Sequence, residues 1–204
     1  MELLHEIIDF IVTHVDKFGY WGIIIMMFLE SSFFPFPSEV VMPPAGYLAS
    51  IGNMNLFLVI LSGIIGSILG ALFNYFLAVV FGRRLFQGGF RYLGLSDEKF
   101  KKAENFLIRH GNIGTFLGRL LPVIRQYISF PAGVIRMKLS SFCLFTGIGS
   151  GIWVFVLTMI GYFVGKNKEL VKRYLSSATM ITLVVALIIL VIYVLYNRRI
   201  EKNV

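Results

Sequence analysis

Three runs of this chain, Leu56–Phe81, Leu139–Gly165 and Tyr174–Asn197, contain no Asp, Glu, Lys or Arg. Each exceeds the roughly 20 residues of helix that cross about 30 Å of hydrocarbon, so each is predicted to be a transmembrane helix. With 57% hydrophobic and 15% charged residues, the chain departs from the about 45–50% and 25% of soluble domains. A soluble metabolic enzyme, a nucleic-acid-binding domain and a disordered tail are excluded. The formal charge of +8 does not restore nucleic acid as a partner. The basic residues cluster beside apolar runs, as in loops that face an anionic leaflet. The one cysteine, Cys143, sits inside an apolar run, so there is neither a disulfide framework nor a zinc spacing. The length allows a single membrane domain, 1–204.

Two further apolar regions are too short to span. Phe18–Leu29 is followed by Glu30, a Ser-Ser-Phe-Phe-Pro-Phe-Pro-Ser segment, Glu39 and Val40–Gly52. Twelve or thirteen residues make only about 18–20 Å of helix, and Pro35, Pro37, Pro43 and Pro44 prevent a straight run. Half-length arms around a polar, proline-broken turn predict a re-entrant hairpin. Asn112–Met137, with Arg119, Pro122, Arg125 and Pro131, predicts a second; the alternative is tilted full spans in each region. Residues 2–16 are acidic, lack a basic leader region, and repeat apolar residues at helical spacing. They are expected to form an amphipathic interfacial helix packed on the protein rather than a signal peptide.

The halves repeat. Gly19-Tyr-Trp-Gly22 recurs as Gly111-Asn-Ile-Gly114, 92 residues on, and Pro44-Ala45-Gly46 as Pro131-Ala132-Gly133, 87 on. Ser62-Gly63 and Thr146-Gly147 are 84 apart, Gly82-Arg83 and Gly165-Lys166 are 83 apart. Each half opens with an amphipathic helix, 2–16 or 96–110. A hairpin returns to its own side, so one span between the halves inverts the second. The expectation is an all-α membrane protein with an inverted-topology repeat: repeat 1 over 1–84, repeat 2 over 96–168, and an added helix at 174–197. Secondary transporters share that plan and bind substrate at the broken segments. Ten basic residues in 82–112 and the tail, against five on the other side, put the carboxyl terminus in the cytoplasm.

Charges inside these regions are costly, at about 2.5–3.5 kcal/mol each on insertion scales. The first hairpin carries Glu30 and Glu39, the second Arg119 and Arg125. Straight helix would put the glutamates on opposite faces and the arginines about 120° apart. The prolines interrupt those helices and let all four converge on one cavity. Such groups mark a substrate or proton path, or else a structural Glu–Arg lock. Ser62, Gly66, Gly70 and Asn74 form a small-residue stripe suited to helix packing, with only Asn74 open to function. His5, His14 and His110 fall outside the membrane core, and no nucleophile turn, P-loop or metal set occurs. An enzyme is not expected.

Glu30…Pro35-Phe-Pro37-Ser-Glu39, Gly66…Gly70…Tyr75…Gly82-Arg83 and Phe116-Leu-Gly-Arg119-Leu-Leu-Pro122-Val-Ile-Arg125…Ala132-Gly133 resemble the DedA family of bacterial inner-membrane proteins. Arg136-Met137, Phe142, Gly149 and Trp153 continue the likeness, which covers roughly residues 20–165. The resemblance implies a multi-pass lipid flippase, some members being proton-driven, that moves undecaprenyl phosphate or phosphatidylethanolamine. It gives Glu30 and Glu39 the acidic positions and Arg119 and Arg125 the basic ones; Tyr75, Arg83 and Arg136, together with Asn74 of the small-residue stripe, are secondary candidates. Many members have Asp at the second acid and polar residues where this chain has Ala71, Leu72 and Phe73. The substrate class is an anionic lipid headgroup, polyprenyl phosphate first. Phosphatidylethanolamine transport, a proton-coupled small-ion antiporter and a scaffold stay open, as does homo-oligomerisation. No cofactor or metal is expected.

Overall fold

A computed structural model describes residues 18–32, 37–88, 97–121 and 124–164, with single positions between 170 and 189. The elements are α1 (Phe18–Ser31), a 3-10 turn (Ser38–Val40), α2 (Met42–Ser50), α3 (Leu56–Gly88), α4 (Asp97–Leu120), α5 (Ser129–Val134) and α6 (Leu139–Val164). Among the described residues there is no strand. The apolar parts of α3, Leu56–Gly82, and of α6, Leu139–Val164, are long enough to cross a bilayer. The expected helix 2–16 lies outside the described residues, as does most of Tyr174–Asn197. The described positions within the latter are helical, and Tyr174, Met180 and Ile188 among them are exposed.

Local chemistry sets the boundaries. Asn55 opens α3 by accepting the N–H groups of Phe57 and Leu58 on Oδ1, at 3.0 and 3.2 Å, which satisfies donors the first turn leaves free. Pro43 and Pro44 occupy the first turn of α2, where a missing N–H removes no helical bond. The amphipathic helix expected over 96–110 and the first arm of the second hairpin form one element, α4. Its corner is Gly111, at φ 43°. Gly82 turns α3 likewise, at φ 52°.

Hydrogen bonds draw together the ends of each short-helix region. The N–H of Asn55 donates to the Tyr20 hydroxyl at 2.8 Å, so the chain leaves and returns at the start of α3. In the second, the Thr115 hydroxyl meets the Met137 sulfur at 3.2 Å, and the Tyr75 hydroxyl holds the Met137 carbonyl at 2.6 Å. Tyr75 stands nineteen residues beyond Leu56, about 28 Å along the helix. The two regions therefore meet α3 near opposite ends of its apolar part.

Glycines let these elements approach. A Cβ at Gly66 would strike the Ile24 carbonyl, and one at Gly70 the Phe28 carbonyl, which seats α1 on α3. A Cβ at Gly149 would meet the Phe116 carbonyl and the Arg119 stem, seating α4 on α6. The second arms cross over between halves. Gly46 of α2 faces the Thr158 carbonyl of α6, and Gly133 of α5 faces the Tyr75 carbonyl of α3. The outer faces stay apolar: Phe57, Leu61, Ile65, Leu69 and Phe73 of α3, at i+4 steps, are all exposed. This is the pattern of a helix with one face against protein and the other against lipid.

Candidate functional site

Glu30, Ser31 and Ser38 of the first short-helix region and Arg119, Arg125 and Ser129 of the second come together between the middles of α3 and α6. Ser67 and Ser150 each stand eleven residues into their helices, about 17 Å from the first residue. Both line a small cavity with Glu30, Ser31, Arg119, Arg125 and Trp153. Glu30, Arg119 and Arg125 are buried, at 3%, 3% and 9% exposure, where a lone charge is costly and a paired one is not.

Arg125 is the hub. Its Nη2 lies 2.6 Å from Glu30 Oε1 and 4.0 Å from Glu39 Oε2, and donates to Ser38 Oγ at 2.9 Å. Its guanidinium sits 5.4 Å over the Trp153 ring, a favourable cation–π geometry. Ser38 Oγ also accepts the Trp153 indole N–H at 3.1 Å and donates to Glu39 at 3.4 Å. The Ser31 hydroxyl donates to Glu30 Oε2 at 2.9 Å. A single arginine of the second hairpin thus gathers both carboxylates of the first.

Arg119 is placed differently. Its Nη2 donates to Ser129 Oγ at 2.6 Å, and among the described residues no carboxylate oxygen lies within 4 Å of it. Its Nε and that of Arg125 have no hydrogen-bond partner. Gly149 makes the position tenable, because any side chain there would collide with the Arg119 stem. The site therefore holds a buried cation without a carboxylate partner beside the ion-paired Arg125, an arrangement suited to an anion. The cavity is only about 10 Å³, room for at most one water. This is a closed arrangement.

All four principal sequence candidates gather here, but not as two equivalent pairs. Of the secondary ones, Asn74 is fully buried and donates to the Ser31 carbonyl at 3.1 Å and the Gln126 carbonyl at 3.4 Å, touching both hairpin tips. Tyr75 ties α3 to the end of the second hairpin and stacks on Phe142 at 5.0 Å. Arg136 is exposed at that hairpin's outer end. The side chain of Arg83 lies outside the described residues. Sequence reasoning missed Ser38, Ser129 and the polar role of Trp153. The available signal was Trp153 itself, whose indole N–H must find a partner inside a charge-free helix. Among the described residues no cluster of three or more His, Cys, Asp or Glu could hold a metal ion.

Comparison with known proteins gives a family match to the VTT domain over residues 36–163. The chain is 34% identical to an "Alkaline phosphatase-like protein" of Lactococcus lactis subsp. lactis, over 92% of this chain and 90% of that one. It is 27% identical to "Undecaprenyl phosphate transporter A" of Bacillus subtilis, over 95% and 96%. It is 29% identical to "Protein DedA" of Escherichia coli K12, over 81% and 82%. No solved structure matches it significantly.

Proposed function

Because this chain belongs to the DedA family of VTT-domain membrane proteins, we propose that it carries the phosphate headgroup of a membrane lipid, undecaprenyl phosphate foremost, through the charged centre between its hairpins. The observation that carries this reading is the asymmetry of the two arginines. Arg125 is neutralised by Glu30 and Glu39, whereas Arg119 keeps a buried charge with no carboxylate within 4 Å among the described residues. An anionic headgroup reaching Arg119 supplies the missing counter-charge, and the polyprenyl tail stays in lipid. Arg125 then exchanges a carboxylate for a phosphate oxygen, and the released Glu30 is the group through which protons couple to the cycle. The name of the Bacillus subtilis relative, an undecaprenyl phosphate transporter, agrees with this substrate.

The test is headgroup translocation by the purified protein in liposomes containing labelled polyprenyl phosphate, with labelled phosphatidylethanolamine in parallel. Translocation of the polyprenyl phosphate without phosphate release is expected. Absence of translocation, or phosphate release in its place, overturns the reading and returns the question to hydrolysis.

The same proposal includes the topology: two re-entrant hairpins related by an inverted repeat in a bacterial membrane, with a cytoplasmic carboxyl terminus. The glycine contacts support it. Ile24 and Phe116, 92 residues apart, each present a carbonyl to a glycine of the long helix of their own half, and Gly46 and Gly133, 87 apart, each face a carbonyl of the opposite half, at the offsets of the sequence repeat. Single-cysteine labelling in a Cys143→Ser background should find positions 18 and 52 accessible from one face and position 204 from the other. Positions 18 and 52 reacting from opposite faces would exclude the hairpin.

A further inference from the structure

The outer ends of the two hairpins have the same backbone and different chemistry. At the end of α2, the N–H of Gly52 donates to Ala49 O at 3.2 Å and that of Asn53 to Leu48 O at 3.0 Å. At the end of α5, Arg136 N–H donates to Gly133 O at 3.0 Å and Met137 N–H to Ala132 O at 3.0 Å. This paired-bond helix cap needs a left-handed residue, normally glycine. Gly52 supplies one at φ 85°, and Arg136, 84 residues later, adopts φ 53°. Among the described residues Arg136 is the only non-glycine with positive φ.

An L side chain in that region is strained, and such strain persists where neighbours over-determine it and a function uses it. The neighbours are present. The Met137 carbonyl is held by the Tyr75 hydroxyl and its sulfur by Thr115, and Met137 packs against the buried cluster of Tyr75, Leu107 and Phe142. The Arg136 side chain, by contrast, is exposed and has no hydrogen bond or ion pair among the described residues. Lys138, two residues on, is exposed as well. The matching cap, about 28 Å away along α3, presents Gly52, Asn53 and Met54, none of them charged.

We propose that Arg136, assisted by Lys138, is the docking point that holds a phosphate monoester headgroup at one mouth of the protein before it reaches Arg119. The proposal rests on the reading of the chain as a carrier of lipid phosphates. It makes the two matching caps chemically distinct, one carrying a cation and the other none. A guanidinium on a fixed turn offers a bidentate phosphate contact with little ordering cost. Its exposed position keeps it separate from the buried hub, so its loss affects capture and leaves the central ion pairs in place.

The variants are Arg136→Gly and Arg136→Lys, compared with wild type as full chains reconstituted at a known orientation. Translocation is followed against the mole fraction of polyprenyl phosphate offered in either leaflet, and thermal unfolding is followed in detergent. Arg136→Gly is expected to keep its Tm or gain a few degrees through relief of strain. Its apparent KM should rise about tenfold for lipid offered at the Arg136 mouth, with KM unchanged from the other leaflet and the maximal rate unchanged. Arg136→Lys should fall between. A drop in Tm, or equal KM changes from both leaflets, overturns the proposal and makes Arg136 structural. Competition by inorganic phosphate at that mouth alone shows that phosphate itself is read; equal competition at both mouths also overturns the proposal. If wild type translocates nothing, the carrier reading fails. Equilibrium binding of polyprenyl phosphate to the same variants in nanodiscs then decides the Arg136 site separately.

Discussion

Replacement of Arg125 by alanine is expected to abolish headgroup translocation and to lower stability by about 3–5 kcal/mol, as in other buried pairs that lose one member. Arg125 neutralises Glu30 at 2.6 Å, approaches Glu39 at 4.0 Å and donates to Ser38 at 2.9 Å. Its removal strands a carboxylate that is 3% exposed, and it unties the second hairpin from the first. The double variant Arg125→Ala/Glu30→Gln removes both charges, so it should recover much of the stability while staying inactive. Glu30→Gln alone should fold and lose any pH dependence of transport. Thermal unfolding in detergent and translocation in liposomes check the set. An Arg125→Ala protein with wild-type unfolding and rate would remove Arg125 from both the lock and the site.

Arg119 is expected to give the opposite split. It has one hydroxyl partner, Ser129, and no carboxylate within reach among the described residues, so its burial opposes folding. Arg119→Met keeps the aliphatic stem against Gly149 and discards the charge. It should therefore unfold at the same temperature as wild type or higher. Transport should fall at least about 10- to 150-fold, the worth of one charge-assisted hydrogen bond of roughly 1.5–3 kcal/mol. Arg119→Lys should restore part of the rate, since an ammonium carries the charge but not the planar fork. The readouts are the Tm and the initial rate against the mole fraction of polyprenyl phosphate. A marked loss of stability in Arg119→Met, with transport falling only in proportion, would make Arg119 part of the lock.

The different roles of these two arginines were not readable from the sequence. They share one Arg-x-x-Pro-x-x-Arg motif, and helix periodicity fixes their relative angle only as far as Pro122. Beyond a break, the direction of the chain depends on what it packs against. Gly118 lies against the Ile128 side chain and Gly149 against the Arg119 stem, and those contacts decide which arginine reaches the carboxylates. Ser38 was visible only as a polar residue beside Glu39. That it joins Arg125 and Trp153, 87 and 115 residues away, follows from tertiary placement alone.

What the sequence by itself determined is set by solvation and chain geometry. Uncharged runs longer than 20 residues make α3 and α6 membrane-length helices, because lipid leaves backbone groups no partner outside the helix. Prolines and left-handed glycines end the short arms, and the cost of buried charge marks Glu30, Glu39, Arg119 and Arg125 as a group. The small-residue stripe of Gly66 and Gly70 foretold where α3 meets a neighbouring backbone. The tertiary structure decided the pairing: Arg125 took both carboxylates, Arg119 took none, and the cavity between them closed to about 10 Å³. The reason is physical. Solvation energy depends on residue type and can be read along a chain, whereas Coulomb and hydrogen-bond energies depend on distances of a few ångströms between residues that only the packed fold brings together.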